Sequence, residues 1–270
     1  MSESVPITTP RKLYKYRSLT SDVDRDRVKD ILLNNRLYFP TRLEFNDPFD
    51  CRIPIIWTGY SENEWRQKLM EVYQTSPPLP MAFLGRTEEF VDEHLKMGAI
   101  ASLEQEGERA TEESMNQFRI LCLCECPKNI LMWSHYAGCH GGICLEFEVR
   151  DHSYFSSAVP VEYPPQYPLL KATLPVKELA TGLIRTKAES WAYEKEWRIF
   201  SIHSADSYIF PTECLSGVVL GCQIKPEHEA LIKEWLASRN SPVTLHMAIK
   251  SKDKFALEIQ KVEKIGPLVL

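Results

Sequence analysis

Several features that would settle the class of this protein at once are missing from its sequence. No apolar run approaches the roughly 20 residues that a helical membrane span needs; Leu121–Cys126 and Val218–Cys222 are far too short. There is no basic excess: 32 Lys+Arg stand against 37 Asp+Glu, for a net charge of −5 and a pI near 5.9. A nucleic-acid binder usually carries a basic footprint, and none is visible here. The start, Met1-Ser-Glu-Ser-Val-Pro-Ile-Thr-Thr-Pro10, has neither the basic residues nor the apolar stretch of a secretory signal, which sets the expectation of a cytoplasmic protein. Repeats and low-complexity runs are absent as well. What is present is ordinary: 270 residues, 44% apolar and 26% charged, enough to bury a sizeable core.

Eight cysteines call for an explanation. Cys122, Cys124 and Cys126 alternate, so a strand there points all three to one face. Their spacing, with Cys139, Cys144, His135 and His140 downstream, matches no standard zinc arrangement. Without a secretory signal, a disulfide framework is not expected. The cysteines read as small apolar core residues, and no metal is expected.

Residues 1–11 read as a loose tail. Lys12–Arg17 alternates as a strand, and Ser21 or Asp22 caps a helix over Val23–Asn34. Leu37–Phe39 is a short strand stopped by Pro40, and Cys51–Trp57 is a further strand candidate. Residues 61–118 change character, with a helix from Ser61 to Tyr73, a proline-rich break, and a charged, helix-prone stretch over Thr87–Glu113. Strand patterns return at Phe118–Cys126, Gly141–Glu148, Val159–Tyr163, Tyr193–Phe200, Leu215–Gly221, Val243–Ile249 and Phe255–Val262. Helices are expected over Asn129–Ala137, Val176–Lys187 and Pro226–Ser238. This irregular order predicts an α+β fold, a single domain over residues 12–270 with a helical insertion at about 61–118.

Four segments are denser in polar and aromatic residues than folding requires. In Leu13-Tyr-Lys-Tyr-Arg17, a guanidinium at a strand end suits a carboxylate or phosphate, or a surface ion pair. In Phe45-Asn-Asp-Pro-Phe49, Asn46 and Asp47 can bond nearby backbone amides around Pro48, which favours a structural turn. Trp133, His135 and Tyr136 share one short helix before Gly141-Gly142. Ser134 and His135 diverge by about 100° there and cannot form a catalytic dyad. The fourth segment runs from Lys187 to Arg198. As a strand, Tyr193–Ile199 would put Glu194, Glu196 and Arg198 on one face, an arrangement suited to acid–base work or to ion pairing.

Taken together, Leu13–Arg17, Leu37–Pro40, Phe45–Asp50, Met132–Ala137 with Gly142–Phe147, and Trp191–Arg198 resemble the bacterial domain-of-unknown-function family numbered 2971. More distantly, the chain resembles the ADP-ribosyltransferases, small α+β enzymes built on a split sheet. That resemblance implies a mixed, split β-sheet flanked by helices. It implies that Arg17, with Tyr38 or Thr41, and with Tyr16 nearby, would bind NAD. Glu196 would stabilise the oxocarbenium ion as nicotinamide leaves, and Glu194 would orient the acceptor. Asn46, Asp47, Trp133, His135, Tyr136, Lys187 and Arg198 are further candidates for the pocket. The pattern of this chain departs from those enzymes at the second strand, where Pro40 interrupts and the Ser-Thr-Ser pattern is missing. NAD, a small-molecule nucleotide, is the ligand this reading expects. Two alternatives stand beside it: a non-catalytic ligand-sensing or protein-interaction module, and a nuclease using Glu194, Glu196, Asp47 and Asp50 as metal ligands.

Overall fold

Alternation in Lys12-Leu-Tyr-Lys-Tyr-Arg17 builds β1 (Lys12–Arg17), the first strand of a computed structural model that describes residues 9–75, 85–201 and 206–266. It is followed by α1 (Asp22–Asn34), β2 (Arg36–Tyr38), β3 (Ile55–Ile56), α2 (Glu62–Thr75), α3 (Thr87–Lys96) and α4 (Ala99–Met115). Next come β4 (Arg119–Cys124), α5 (Ile130–Tyr136), β5 (Ile143–Glu148), β6 (Val159–Pro160), β7 (Leu170–Lys171) and α6 (Val176–Arg185). The chain then forms β8 (Glu196–Ser201), β9 (Ser207–Ile209), β10 (Leu215–Leu220), α7 (Pro226–Ala237), β11 (Val243–Lys250) and β12 (Leu257–Ile265). The fold is α+β, and it divides into two compact units.

The first unit holds the described residues of Met1–Pro40, Arg119–Val161 and Ser190–Leu270. Its centre is a mixed eight-stranded sheet in the order β12-β11-β10-β5-β1-β4-β8-β6. Only β10 and β11 run parallel; the other neighbours are antiparallel. The pleat sorts side chains strictly by face. Leu13, Leu121, Leu145, Trp197 and Leu245 join Val28, Ile31 and Leu32 of α1 and Ile232, Trp235 and Leu236 of α7 in one buried cluster. Tyr16, Cys124, Cys144 and Val219 meet Met132 and Trp133 of α5 in a second. The sheet is opened at one seam. Six residue pairs join β1 to β5, but a single pair, Tyr14 with Cys124, joins β1 to β4.

Local chemistry explains the boundaries of the elements. Ser21 accepts from the Asp24 amide and the Asp24 carboxylate accepts from the Ser21 amide, a reciprocal cap that starts α1. Asn35 ends that helix in the left-handed conformation, at φ 52°. Asn129 caps α5 by accepting from the Leu131 and Met132 amides.

The second unit holds the described residues of Thr41–Phe118 and Glu162–Glu189. Helices α2, α3, α4 and α6 dominate it, with one short parallel pair, β3 and β7. Two sequence expectations are corrected here. The strand expected over Cys51–Trp57 shrinks to Ile55–Ile56, because Cys51 sits at φ 56° and leaves the extended region. The helix-prone stretch over Thr87–Glu113 is two helices, since Gly98 turns the chain at φ 84° between them. The proline-rich segment at 76–84 lies outside the described residues.

Candidate functional site

The acidic and aromatic residues singled out in the sequence gather on the α5 side of the sheet in the first unit. Strand pairing sets the frame: Cys124 lies opposite Glu196 and Cys122 opposite Arg198. Glu196 and Arg198, two residues apart, therefore share a face. The Arg198 guanidinium donates from Nε to Oε1 of Glu196 at 2.7 Å and from Nη2 to Oε2 at 2.9 Å. This forked pair is buried, with Glu196 4% exposed and Arg198 fully enclosed. A two-bond fork fixes both planes and holds the carboxylate charge in place. The same charge, after burial itself, pushes the neighbouring Cys122 thiol well up from its ordinary range.

Glu194 does not belong to that strand, contrary to the continuous strand expected over Tyr193–Ile199. Residues Glu189–Glu194 form a 3-10 turn, Lys195 adopts φ 45°, and β8 begins at Glu196. The Asn129 side-chain amide donates to the Tyr193 carbonyl at 2.6 Å, tying this turn to the start of α5. Glu194 is buried nonetheless, and accepts from the Tyr136 hydroxyl at 2.6 Å. Beside it, His135 Nδ1 and the Tyr193 hydroxyl lie 3.0 Å apart, and the His135 ring meets Trp191 and Tyr193 edge-on. The helix and turn thus bring Glu194, Tyr136, His135, Tyr193 and Trp191 together. Trp133 has a different part: it is fully buried, packs edge-on against Tyr16 at 5.2 Å, and donates its indole N–H to the Pro127 carbonyl. Tyr16 is core as well, its hydroxyl donating to the Cys126 carbonyl at 2.7 Å.

Arg17 lies on the other face. Tyr14 pairs with Cys124, so Tyr14 and Glu196 share a face and Arg17, an odd step along β1, takes the opposite one with Leu13 and Lys15. Arg17 and Lys15 stand at the opened seam between β1 and β4. Lys15 reaches across it and donates to the Cys122 carbonyl at 2.8 Å. Among the described residues neither cation has a carboxylate partner, and Arg17 Nε is buried with no acceptor. Burial, with the adjacent Arg17 charge, pulls the Lys15 ammonium down to about 7. Burial and the Arg27 charge pull Arg17 down to about 10. Gly142 allows the following turn to pass here, since a Cβ at that position would lie 2.2 Å from the Arg17 carbonyl. Arg27 stacks over the Tyr38 ring at 4.9 Å, so a cation already covers one face of that aromatic.

The remaining candidates fall in the second unit. Thr41 starts a 3-10 turn, with the Glu44 carboxylate accepting from the Thr41 amide and hydroxyl. Asn46 is exposed, while buried Asp47 accepts from the Phe49 amide at 2.9 Å, the turn bond expected of that motif. Lys187 is buried and pairs with Asp50 at 3.6 Å. For the nuclease reading, no cluster of three or more His, Cys, Asp or Glu placed to hold a metal ion occurs among the described residues.

Sequence reading passed over Lys15, Trp191 and Tyr193 as site residues. The signal for Lys15 was available: two charged residues follow Leu13 on the core face of a central strand, which apolar packing alone would not select.

Comparison with known proteins adds one match. A family model described as a protein of unknown function (DUF2971) matches residues 132–199, which span α5 through most of β8. That stretch includes the Met132–Ala137, Gly142–Phe147 and Trp191–Arg198 motifs, while Leu13–Arg17, Leu37–Pro40 and Phe45–Asp50 lie outside it. No curated protein and no solved structure matches the chain.

Proposed function

We propose that the first unit is an NAD-using enzyme of the ADP-ribosyltransferase type, which releases nicotinamide and passes ADP-ribose to water or another acceptor. The observation that carries this reading is the opened seam between β1 and β4. Arg17 and Lys15 stand there, two cations without a carboxylate partner among the described residues, and the Arg17 Nε is buried without an acceptor among them. A pyrophosphate would relieve the repulsion between them and satisfy that nitrogen. On the other face stand Glu194, Glu196 and the aromatic rings of Trp191 and Tyr193, a setting suited to a cationic nicotinamide and a ribose gaining positive charge.

In the reaction, the bond from ribose C1′ to the nicotinamide nitrogen breaks and its electron pair leaves with nicotinamide. The acceptor oxygen bonds C1′ and gives up its proton. Glu196, ionised and fixed by Arg198, offers a preorganised negative charge to the developing cation. Glu194, held by Tyr136, orients the acceptor and takes its proton. Because Arg17 and Glu196 occupy opposite faces, one ligand can meet both only through the opened seam.

That same separation favours a second reading, a sensing module that binds an anionic nucleotide without turning it over. Nicotinamide release from millimolar NAD, compared between the full chain and Glu196→Gln, separates the two. Release that falls in a Glu196→Gln variant folded by circular dichroism supports the enzyme, NAD binding without release supports the sensor, and neither binding nor release defeats both.

A further inference from the structure

The hairpin that joins β11 to β12 in the first unit carries three lysines and an aromatic ring within six residues, Lys250, Lys252, Lys254 and Phe255. All four line one groove of about 520 Å³, together with Ile130 at the start of α5 and His140 beyond its end. None of the three ammonium groups pairs with a carboxylate among the described residues. Asp253 is the one acidic residue on the lining, and it accepts from the Ser251 hydroxyl at 2.7 Å. Phe255 is fully exposed, so no core contact accounts for a phenyl ring at this place.

The tip is held in shape by its backbone. The Ser251 amide donates to the Ala256 carbonyl at 3.0 Å, and the Ala256 amide donates to the Lys254 carbonyl at 2.9 Å. Leu257, 4% exposed, anchors the returning strand in the core. On the α5 side, the His140 ring stacks on buried Trp133 with centroids 6.4 Å apart. Unpaired cations beside an uncovered ring select a ligand with spaced negative charges and flat apolar faces. A single-stranded nucleic acid has both, with phosphates for the lysines and an unpaired base for the ring. A duplex offers only base edges in its grooves, and a bilayer surface is flat whereas these lysines line a concavity. The net charge of −5 concealed the site, because composition averages over the whole chain and the hairpin gathers these cations locally.

We propose that this groove binds single-stranded nucleic acid, independently of the NAD reading, with Lys250, Lys252 and Lys254 on successive phosphates and one base stacked on Phe255. The test is fluorescence anisotropy of the full chain with a fluorescein-labelled thymidine 12-mer between 50 and 200 mM salt. The logarithm of affinity should fall with the logarithm of salt at a slope of about −2, from three phosphate contacts at about 0.7 each. The joint change Lys252→Ala and Lys254→Ala should reduce that slope to about −0.7. The strand should bind at least about fivefold more tightly than a duplex of equal length, and Phe255→Ala should erase that preference by removing the stacked base. These positions are exposed, so circular dichroism should show the fold unchanged in each variant. Absence of saturable binding, or a salt slope or single-strand preference that survives these substitutions, would overturn the proposal. So would displacement of the strand by polyglutamate of equal charge, or tighter binding to phosphatidylcholine–phosphatidylserine vesicles, which would assign the groove to an acidic protein or a lipid surface instead.

Discussion

Replacing Arg198 with methionine removes one half of a buried fork and takes from the enclosed Glu196 carboxylate the guanidinium that faces it. Glu196 is 4% exposed and loses two bonds of 2.7 and 2.9 Å. Breaking a buried ion pair by deleting one partner costs about 3–5 kcal/mol, most of it the penalty on the stranded charge. Glu196→Gln removes the carboxylate charge from the other half of the same fork and should also destabilise the fold. The double variant removes both charges of the fork together, so its loss should fall short of the summed single losses by at least about 2 kcal/mol. Urea unfolding followed by tryptophan fluorescence and by circular dichroism measures all four proteins of this cycle, with the denaturant slope checked for constancy. Additive losses, or an Arg198→Met variant within about 1 kcal/mol of wild type, would refute the claim that this pair fixes the carboxylate.

Three further outcomes follow from local geometry. Ser21→Ala should cost about 1 kcal/mol of stability, since it removes the side-chain half of the α1 cap, and thermal unfolding reads it. Lys15 has a folded pKa of about 7 against an ordinary value of 10.5, so the unfolded chain binds more protons between those values. Stability should rise with pH across that window, and Lys15→Met should flatten the rise; an unchanged slope counts against a desolvated Lys15. Thiol labelling at pH 8 in the native state should modify exposed Cys139 first. Cys124, raised to about 12 by burial, and Cys144, raised further, should react only after unfolding; mass spectrometry locates the label.

Much of the fold was legible because its signals are local. Lys12–Arg17 alternates, Ser21 and Asn129 are side-chain caps, and Pro226 opens α7 at a position where proline is favoured. What escaped were features set by tertiary partners. The chain breaks at Lys195 beside the Tyr193 carbonyl, which is held by Asn129 from 64 residues earlier, and no periodicity within Tyr193–Ile199 encodes that contact. The site was legible as a list of residue types rather than as an arrangement. Glu196 and Arg198 were placed on one face by their spacing alone, and the structure joins them. The partnership of Glu194 with Tyr136 crosses 58 residues and became visible only in the fold. Arg17 shows the limit most clearly, since its face relative to Glu196 is fixed by the register of β1 with β4 and of β4 with β8.

The central claim is that the seam cations hold a nucleotide while the carboxylates act on its glycosidic bond. Steady-state nicotinamide release, measured for wild type, Arg17→Met and Glu194→Gln over a range of NAD concentrations, tests it most directly. Arg17→Met should raise KM at least tenfold with little change in kcat, and Glu194→Gln should lower kcat by about a hundredfold with KM nearly unchanged. No release by the wild type at millimolar NAD, or release that neither substitution alters, would contradict it.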